Sequence, residues 1–347
     1  MSAPLEALRV PHALQGCWDL QLAGVGADAL RVALQHGLFA HLGRYASPGE
    51  IAERLALDVA NTAYFLDLLW GLELLEREDG DLPRYRNLPV AARYLDPLSE
   101  QYCGDALLFR HHVMRDVGAQ LGERVRSGQA AAPAGEAMRQ GWAEAARLQI
   151  AQEQRAITAE AAGALVAALP EFSSARRLLD LGGGPGLVAV ALARLQPRLQ
   201  GVVFEYEETA EVAREYIAAA GLSQRLSAVG GDIASDDLGE GYDLVWCSSV
   251  LHFVPDIAGV LDRIRRAMRP GGVLVCCHGE LGTEAAQARR VLHYYLPLRM
   301  QGRHVLAGGE LARCLERAGF IDIRQIDGVP FPVAPVTALI ARRARKE

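Results

Sequence analysis

From Arg176 onward, short apolar runs alternate with longer amphipathic ones, and this alternation constrains the fold more than any other feature of the chain. RRLLDL reads as a strand and GLVAVALARL as a helix; LQGVVFEY as a strand and EVAREYIAAAG as a helix. RLSAVGGD is a strand edge, YDLVWCSSV a strand, IAGVLDRIRRAM a helix, GGVLVCCHG a strand and GELARCLERAG a helix. Strands separated by helices specify an α/β fold with a doubly wound, mostly parallel sheet. The closing strands IDIRQID and VTALIARR lie too near each other for a crossover helix, so the last strand is expected to run antiparallel.

The first hundred residues follow a different plan. Residues 13–45 read as helix, with Leu30, Ala33, Leu34 and Leu38 at helical spacing. In SPGEIAERL, Ser47 can cap, Pro48 suits the first helical position and Glu50 closes a capping box. A third helix, TAYFLDLLWGLELL, leads into ERED-GDLP-RYRNL, two short strands around a turn. Three helices and a β-wing make a mainly α winged-helix pattern. Such a module binds DNA through a basic third helix, but here that helix carries Asp67, Glu73 and Glu76 before Arg77. Phosphates repel such a helix, so the module is read as a dimerisation unit. The chain has 36 basic and 42 acidic residues, a net charge of -6, which also disfavours nucleic acid and a polybasic membrane contact. No run of about 18 apolar residues is present, and MSAPLEALRVPHAL lacks the pattern of a signal peptide. Six cysteines without a CxxC pair suit a reduced, cytoplasmic protein.

Residues 99–165 read as helical, broken by APAG at 132–135, with Trp142 opening a long amphipathic stretch. The expected domains are therefore 1–100, a winged-helix-like dimerisation domain; 101–165, a helical linker and substrate cap; and 166–347, the α/β domain.

The chemistry is concentrated at strand ends. The first strand of the α/β domain ends in Leu179-Asp180-Leu181-Gly182-Gly183-Gly184-Pro185-Gly186, and a helix follows at once. A glycine turn there lets a cofactor lie against the backbone at a helix N-terminus. The next strand ends in Glu205 and Tyr206, where the acid can take two ribose hydroxyls. The third ends in Gly230-Gly231-Asp232-Ile233, where a carboxylate can accept from an adenine amine. These three ends suit one nucleoside with no pyrophosphate.

In order, GLELLERED and its wing, LLDLGGGPG, VVFE, GGDI, YDLVWCSSVLHFVPD, MRPGG and ARCLERAGF resemble the class I S-adenosylmethionine-dependent O-methyltransferases. The resemblance is to the plant and bacterial small-molecule type, which joins a winged-helix dimerisation domain to a Rossmann-like domain, and it covers roughly residues 20–345. It implies S-adenosyl-L-methionine as cofactor, a small-molecule substrate, and a homodimer paired through the N-terminal domain. Asp180, Gly182, Gly184 and Gly186 would form the methionine-side turn. Glu205, with Tyr206, would hold the ribose, and Asp232 and Ile233 would flank adenine. Ser248 stands where plant members often have a lysine; the only lysine in this chain is Lys346.

His252, in SSVLHFVPD, matches the family's catalytic histidine. Methyl transfer is an in-line displacement, and a hydroxyl attacks better as an oxyanion, so an imidazole with a pKa of about 6.5 is a suitable base. Relatives flank this histidine with two acidic residues. Here His278 stands near the first position, with Glu280 two residues on, and His304 near the second. His278 and His304 are candidate catalytic residues that would share the base role, bind an anionic or chelating substrate, or simply line the pocket. No histidine spacing supports a metal, and none is expected.

Met114, Trp142 and Met300, on helices expected to cap the sheet, are the candidate substrate residues, suiting an aromatic or polyketide-like secondary metabolite. The expected activity is methylation of a hydroxyl. The alternatives are N- or C-methylation, a non-methylating reaction on the same fold, and a winged-helix ligand-sensing regulator.

Overall fold

The computed structural model describes residues 12–128 and 135–345. Residues 132–134 of the APAG break and most of the N-terminal segment read against a signal peptide therefore lie outside the described residues. The chain divides into two compact units, one ending at Val113 and one beginning at Met114.

In the first unit, α1 (Gln15–Gln35) is followed by a short 3₁₀ turn (Leu38–His41), α2 (Pro48–Leu55) and α3 (Val59–Gly71). The single helix expected over 13–45 is thus two pieces. Gly37 takes a φ of 60°, the left-handed conformation that ends a helix at little steric cost to glycine. The capping box forms as expected: Glu50 N–H donates to Ser47 Oγ (3.3 Å), and Ser47 N–H to Glu50 Oε2 (2.7 Å). The wing is the antiparallel pair β1 (Leu75–Glu78) and β2 (Arg84–Asn87). Asp67 on α3 serves that wing, accepting from Tyr85 Oη at 2.7 Å and pairing with Arg77 at 2.8 Å. Leu38, Phe39, Ile51, Leu66, Leu69 and Tyr85 form the core of this unit. Helix α4 (Pro89–Tyr94) follows, and α5 (Gly104–Ser127) runs across the division between the units.

In the second unit, a long helical stretch contains α6 (Glu136–Ala145), α7 (Ala151–Glu153) and α8 (Ala159–Ala167). Two π-helical turns, Ala146–Ile150 and Gln154–Thr158, interrupt it. Then come β3 (Arg177–Leu181), α9 (Leu187–Leu195), β4 (Gln200–Glu205), α10 (Glu207–Ala219), β5 (Leu226–Gly230) and β6 (Tyr242–Ser248). After these follow α11 (Ile257–Ala267), β7 (Met268–His278), α12 (Ala285–Met300), α13 (Glu310–Arg317), β8 (Phe320–Val329) and β9 (Val336–Arg343). The seven strands stand in the order β5-β4-β3-β6-β7-β9-β8. The first five are parallel, and β9 inserts antiparallel to both neighbours. The expected mostly parallel sheet with an antiparallel last strand is what forms.

Both faces of this sheet are covered, which explains the near-continuous apolar reading of its strands. Leu178, Leu244, Trp246 and Val275 pack on one face, and Leu179, Val245, Cys247 and Leu274 on the other. The strand order reverses between β3 and β6, so the loops after β3, β4, β5 and β6 all leave the carboxyl edge of the sheet on either side of that switch point. Among the described residues, no helix is long and apolar enough to cross a membrane.

Candidate active site

The glycine turn between β3 and α9 is built so that side chains are excluded. Gly182, Gly184 and Gly186 have φ values of 64°, 58° and 75°. A Cβ on Gly182 would fall 2.1 Å from Val250 Cγ2, and one on Gly184 would sit 3.3 Å from Ile150 Cγ2. The carboxylate of Glu205 lies beneath this turn, with Oε1 accepting from Gly184 N–H (3.0 Å) and Oε2 from Tyr206 N–H (3.1 Å). Asp180 is fully buried; its Oδ2 accepts from Ala189 N–H at 3.2 Å, while Oδ1 has no protein partner. Desolvation pushes the Asp180 and Glu205 carboxyls up to about 7, opposed by these backbone donors. A carboxylate left underpaired in this way is suited to a ligand that brings donors of its own.

Past β5, Asp232 Oδ1 accepts from Ala234 N–H (2.8 Å), and the Ile233 carbonyl accepts from Arg263 Nε (3.2 Å). Burial raises the Tyr206 hydroxyl above its ordinary range, with the Asp232 carboxylate adding to the shift. Ser248 ends β6, its Oγ accepting from Trp246 Nε1 at 3.1 Å.

His252 follows β6 in the loop that enters α11. It is 2% exposed. Its Nδ1 lies 2.7 Å from the backbone carbonyl of His304. A carbonyl can only accept, so Nδ1 carries the proton and Nε2 keeps its lone pair. That Nε2 is buried and has no partner. Desolvation lowers the imidazole pKa from its ordinary value. The ring stands 4.5 Å from that of Tyr295, 5.2 Å from His278 and 6.4 Å from Phe253, and Phe253 meets Trp142 edge-on at 4.7 Å.

His278 closes β7 and is buried. Its Nε2 accepts from two backbone N–H groups, Val250 (3.1 Å) and Leu251 (3.0 Å). Nε2 is therefore unprotonated, the proton sits on Nδ1, and Nδ1 faces Cys276 Sγ at 3.4 Å. The two donors follow Ser249, whose φ is 56°, and lead into the turn that holds His252 and is closed by Phe253 N–H to the Val250 carbonyl (2.9 Å). Cys247, Cys276 and His278 bring their ligating atoms within 4.8 Å of one another, a composition a soft metal uses. The proton on Nδ1 makes that nitrogen a donor to Cys276 Sγ rather than a free lone pair.

The expected carboxylate partners are absent from this arrangement. Glu280 accepts from Gly309 N–H (3.3 Å) and Leu311 N–H (3.0 Å), capping α13. The His304 ring points elsewhere, its Nε2 3.4 Å from the Pro255 carbonyl. What His304 brings to His252 is its main chain, which composition could not have revealed. Of the three candidate substrate residues, Trp142 joins the aromatic cluster beside His252; Met114 and Met300 are half-buried on α5 and α12. Tyr295 and Phe253 complete the cluster, and Gln154 reaches the glycine turn from the second π-turn. The sequence marked neither Phe253 nor Gln154 as a site residue; Tyr295 lies on the same expected capping helix as Met300, the candidate the sequence favours there. Gln154 lies in a stretch that reads in sequence only as a long amphipathic helix.

A side-chain-free turn with carboxyls at the ends of adjacent parallel strands defines an α/β enzyme domain that holds a nucleoside at the carboxyl edge of its sheet. Comparison with known proteins agrees. A methyltransferase domain matches residues 151–325, and an O-methyltransferase dimerisation domain matches residues 18–97. The chain is 30% identical over 316 residues to the tetracenomycin polyketide synthesis 8-O-methyl transferase of Streptomyces glaucescens, covering 88% of this chain and 91% of that one. It is 31% identical over 238 residues to the 3-hydroxy-5-methyl-1-naphthoate 3-O-methyltransferase of Streptomyces sahachiroi, covering 68% and 66%. Human N-acetylserotonin methyltransferase in complex with S-adenosylmethionine shares the fold, with a TM-score of 0.76 at 21% identity over 97% of this chain and 99% of that one. The chain belongs to the S-adenosylmethionine-dependent O-methyltransferase family that carries an N-terminal dimerisation domain.

S-adenosylmethionine is thus its cofactor, and the residues present suit that molecule. The glycine turn leaves a cradle that a Cβ would fill, and Asp180 Oδ1 is a buried acceptor with no protein donor.

Proposed function

We propose that the enzyme methylates a hydroxyl of a small aromatic secondary metabolite, with His252 Nε2 as the general base. The observation that carries this reading is the buried, unpartnered Nε2 of a ring whose other nitrogen is fixed as a donor to the His304 carbonyl. Gly182, Gly184 and Gly186, above Asp180, form the methionine-side wall. Glu205 and Tyr206 hold the ribose, Asp232 and Ile233 flank the adenine, and Ser248 lies beside the cofactor. Bound there, S-adenosylmethionine supplies an electrophilic methyl group on a sulfonium.

His252 takes the acceptor's hydroxyl proton as the oxygen attacks. Its partner matters to how strongly it does so. A hydrogen bond to a neutral carbonyl is worth about 0.5–1.5 kcal/mol and one to a charged group about 1.5–3, so the His304 carbonyl sets the tautomer while stabilising the imidazolium less than a carboxylate would. The base is therefore weak and stays neutral at pH 7. His278 serves as a clamp on the 249–252 turn, and the His304 side chain lines the outside of the loop. Trp142, Phe253 and Tyr295 offer flat apolar surface to a planar acceptor, with Met114 and Met300 as outlying wall residues. The Streptomyces relatives are named for a polyketide pathway and a hydroxynaphthoate, acceptors of that kind. We assign the exposed Trp18, Leu20, Leu22 and Val25 of α1 to the pairing of two copies.

The test is incubation with methyl-labelled S-adenosylmethionine and a panel of naphthols, hydroxynaphthoates and hydroxyquinones, alongside aromatic amines. Release of S-adenosylhomocysteine with an O-methylated product supports the reading. Methylation of the amines alone, or cofactor binding without release across the panel, overturns it.

A further inference from the structure

Gln154 is not part of the chemistry described above, yet both ends of its side-chain amide are spent on the glycine turn. Its Nε2 donates to the Gly183 carbonyl (3.0 Å), and its Oε1 accepts from Leu187 N–H (3.0 Å). The residue is 8% exposed, an unusual burial for a glutamine unless its amide is fully used. Leu187 is the first residue of α9, and the N-cap of that helix is Gly186, which has no side chain to offer. The orphan N–H of the helix is therefore capped from elsewhere in the chain, by the same amide that ties down the carbonyl in the middle of the turn.

The placement depends on the π-turn. Gln154 opens the second π-helical turn, and the first ends at Ile150, whose Cγ2 lies 3.3 Å from where a Gly184 Cβ would stand. Each π-turn inserts one residue into the helical repeat and re-aims the side chains that follow, a device found often at functional sites. Ile150 and Gln154 together thus roof Gly183 and Gly184 from one side, while Glu205 supports Gly184 from beneath.

We infer that Gln154 is a positioning residue for the cofactor, holding the turn from Gly183 to Leu187 in its binding conformation before the cofactor arrives. The inference rests on the placement of the cofactor's methionine side at this turn, and not on the role of His252. Pre-ordering of this kind appears in affinity, because a turn that must be ordered on binding costs affinity.

The experiment is calorimetric titration of the full-length protein with S-adenosylhomocysteine, alongside thermal unfolding without ligand. Gln154→Met keeps the length and removes both hydrogen bonds. Two lost bonds at about 0.5–1.5 kcal/mol each predict a dissociation constant raised by about 5- to 150-fold. Gln154→Glu keeps the acceptor for Leu187 but turns a carboxylate toward the Gly183 carbonyl, and is expected to weaken binding at least fivefold. If Gln154→Met does not fold, the Glu variant decides the question alone. A dissociation constant within twofold of wild type in the folded variants, with only the melting temperature lowered, shows a purely structural role and overturns the inference. Gly184→Val is the control: unchanged binding there would overturn the placement of the cofactor at the turn, whereas lost binding there with unchanged binding in the Gln154 variants would sink the Gln154 role alone.

Discussion

His252 Nδ1 lies 2.7 Å from the backbone carbonyl of His304, so a main-chain oxygen fixes the tautomer of a ring whose Nε2 is buried without a partner. His252→Ala is expected to lower kcat by about 10²- to 10⁴-fold, the usual worth of a general base. The dissociation constant for S-adenosylhomocysteine should stay within twofold. A turnover number equal to wild type with the natural acceptor, or with any phenol the enzyme methylates, would remove His252 from the chemistry.

The pH profile follows from the same burial. The His252 pKa is lowered from 6.5, chiefly by desolvation, so the ring stays neutral and able to accept a proton below that pH. The acid limb of kcat/KM should therefore fall below pH 6.5. A limb above 7 would mean that a negative charge supports the ring.

His278 presents an acceptor to Val250 N–H and Leu251 N–H, and burial holds its pKa well below the ordinary value. A ring that must charge in the unfolded chain but not in the folded one contributes stability that is complete above pH 6.5 and is lost as the pH falls below it. Glutamine can place an acceptor near the position of Nε2, so His278→Gln should keep turnover within about tenfold, a loss of up to 1.4 kcal/mol. Its melting temperature should fall less than that of the wild type between pH 7 and pH 5. His278→Leu strands two buried donors at about 1–3 kcal/mol each, and should lose both stability and turnover. Equal behaviour of the two variants would show that the hydrogen bonds do not matter.

Asp180 tests the opposite sign. Its carboxyl, pushed up to about 7 by desolvation, holds its proton more tightly folded than unfolded. Its contribution to the cofactor-free protein is present at low pH and lost as the pH rises from about 4 to 7. Asp180→Asn keeps an acceptor for Ala189 N–H and removes that loss. Its melting temperature relative to wild type should rise by about 3 °C or more between pH 5 and pH 8, since each unit of pKa shift is worth about 1.4 kcal/mol. A constant difference across that range would place the charge elsewhere.

Trp142 meets Phe253 edge-on at 4.7 Å beside His252. Trp142→Ala should raise the acceptor KM by about fivefold or more, the value of one lost aromatic contact, and leave the cofactor's dissociation constant unchanged. Initial-rate kinetics with both substrates varied would show the split.

The sequence by itself determined the α/β sheet, the direction of its last strand, the capping box of α2 and the strand ends that carry Asp180, Glu205 and Asp232. Each is encoded locally: hydrophobic period, cap chemistry and glycine placement act over a few residues and read directly from the chain. It also marked His252, because that residue follows a recognisable strand. Only the tertiary structure decided what surrounds it. The His278 imidazole clamps a turn, Glu280 caps a helix, and the partner of His252 is the carbonyl of His304, 52 residues away. Every residue carries a carbonyl, so no side-chain pattern can announce that one. Gln154 was hidden for a related reason: its two partners, the Gly183 carbonyl and Leu187 N–H, are main-chain groups 29 and 33 residues away. Local rules write the frame of this enzyme, while contacts between distant segments of backbone set the protonation of its histidines.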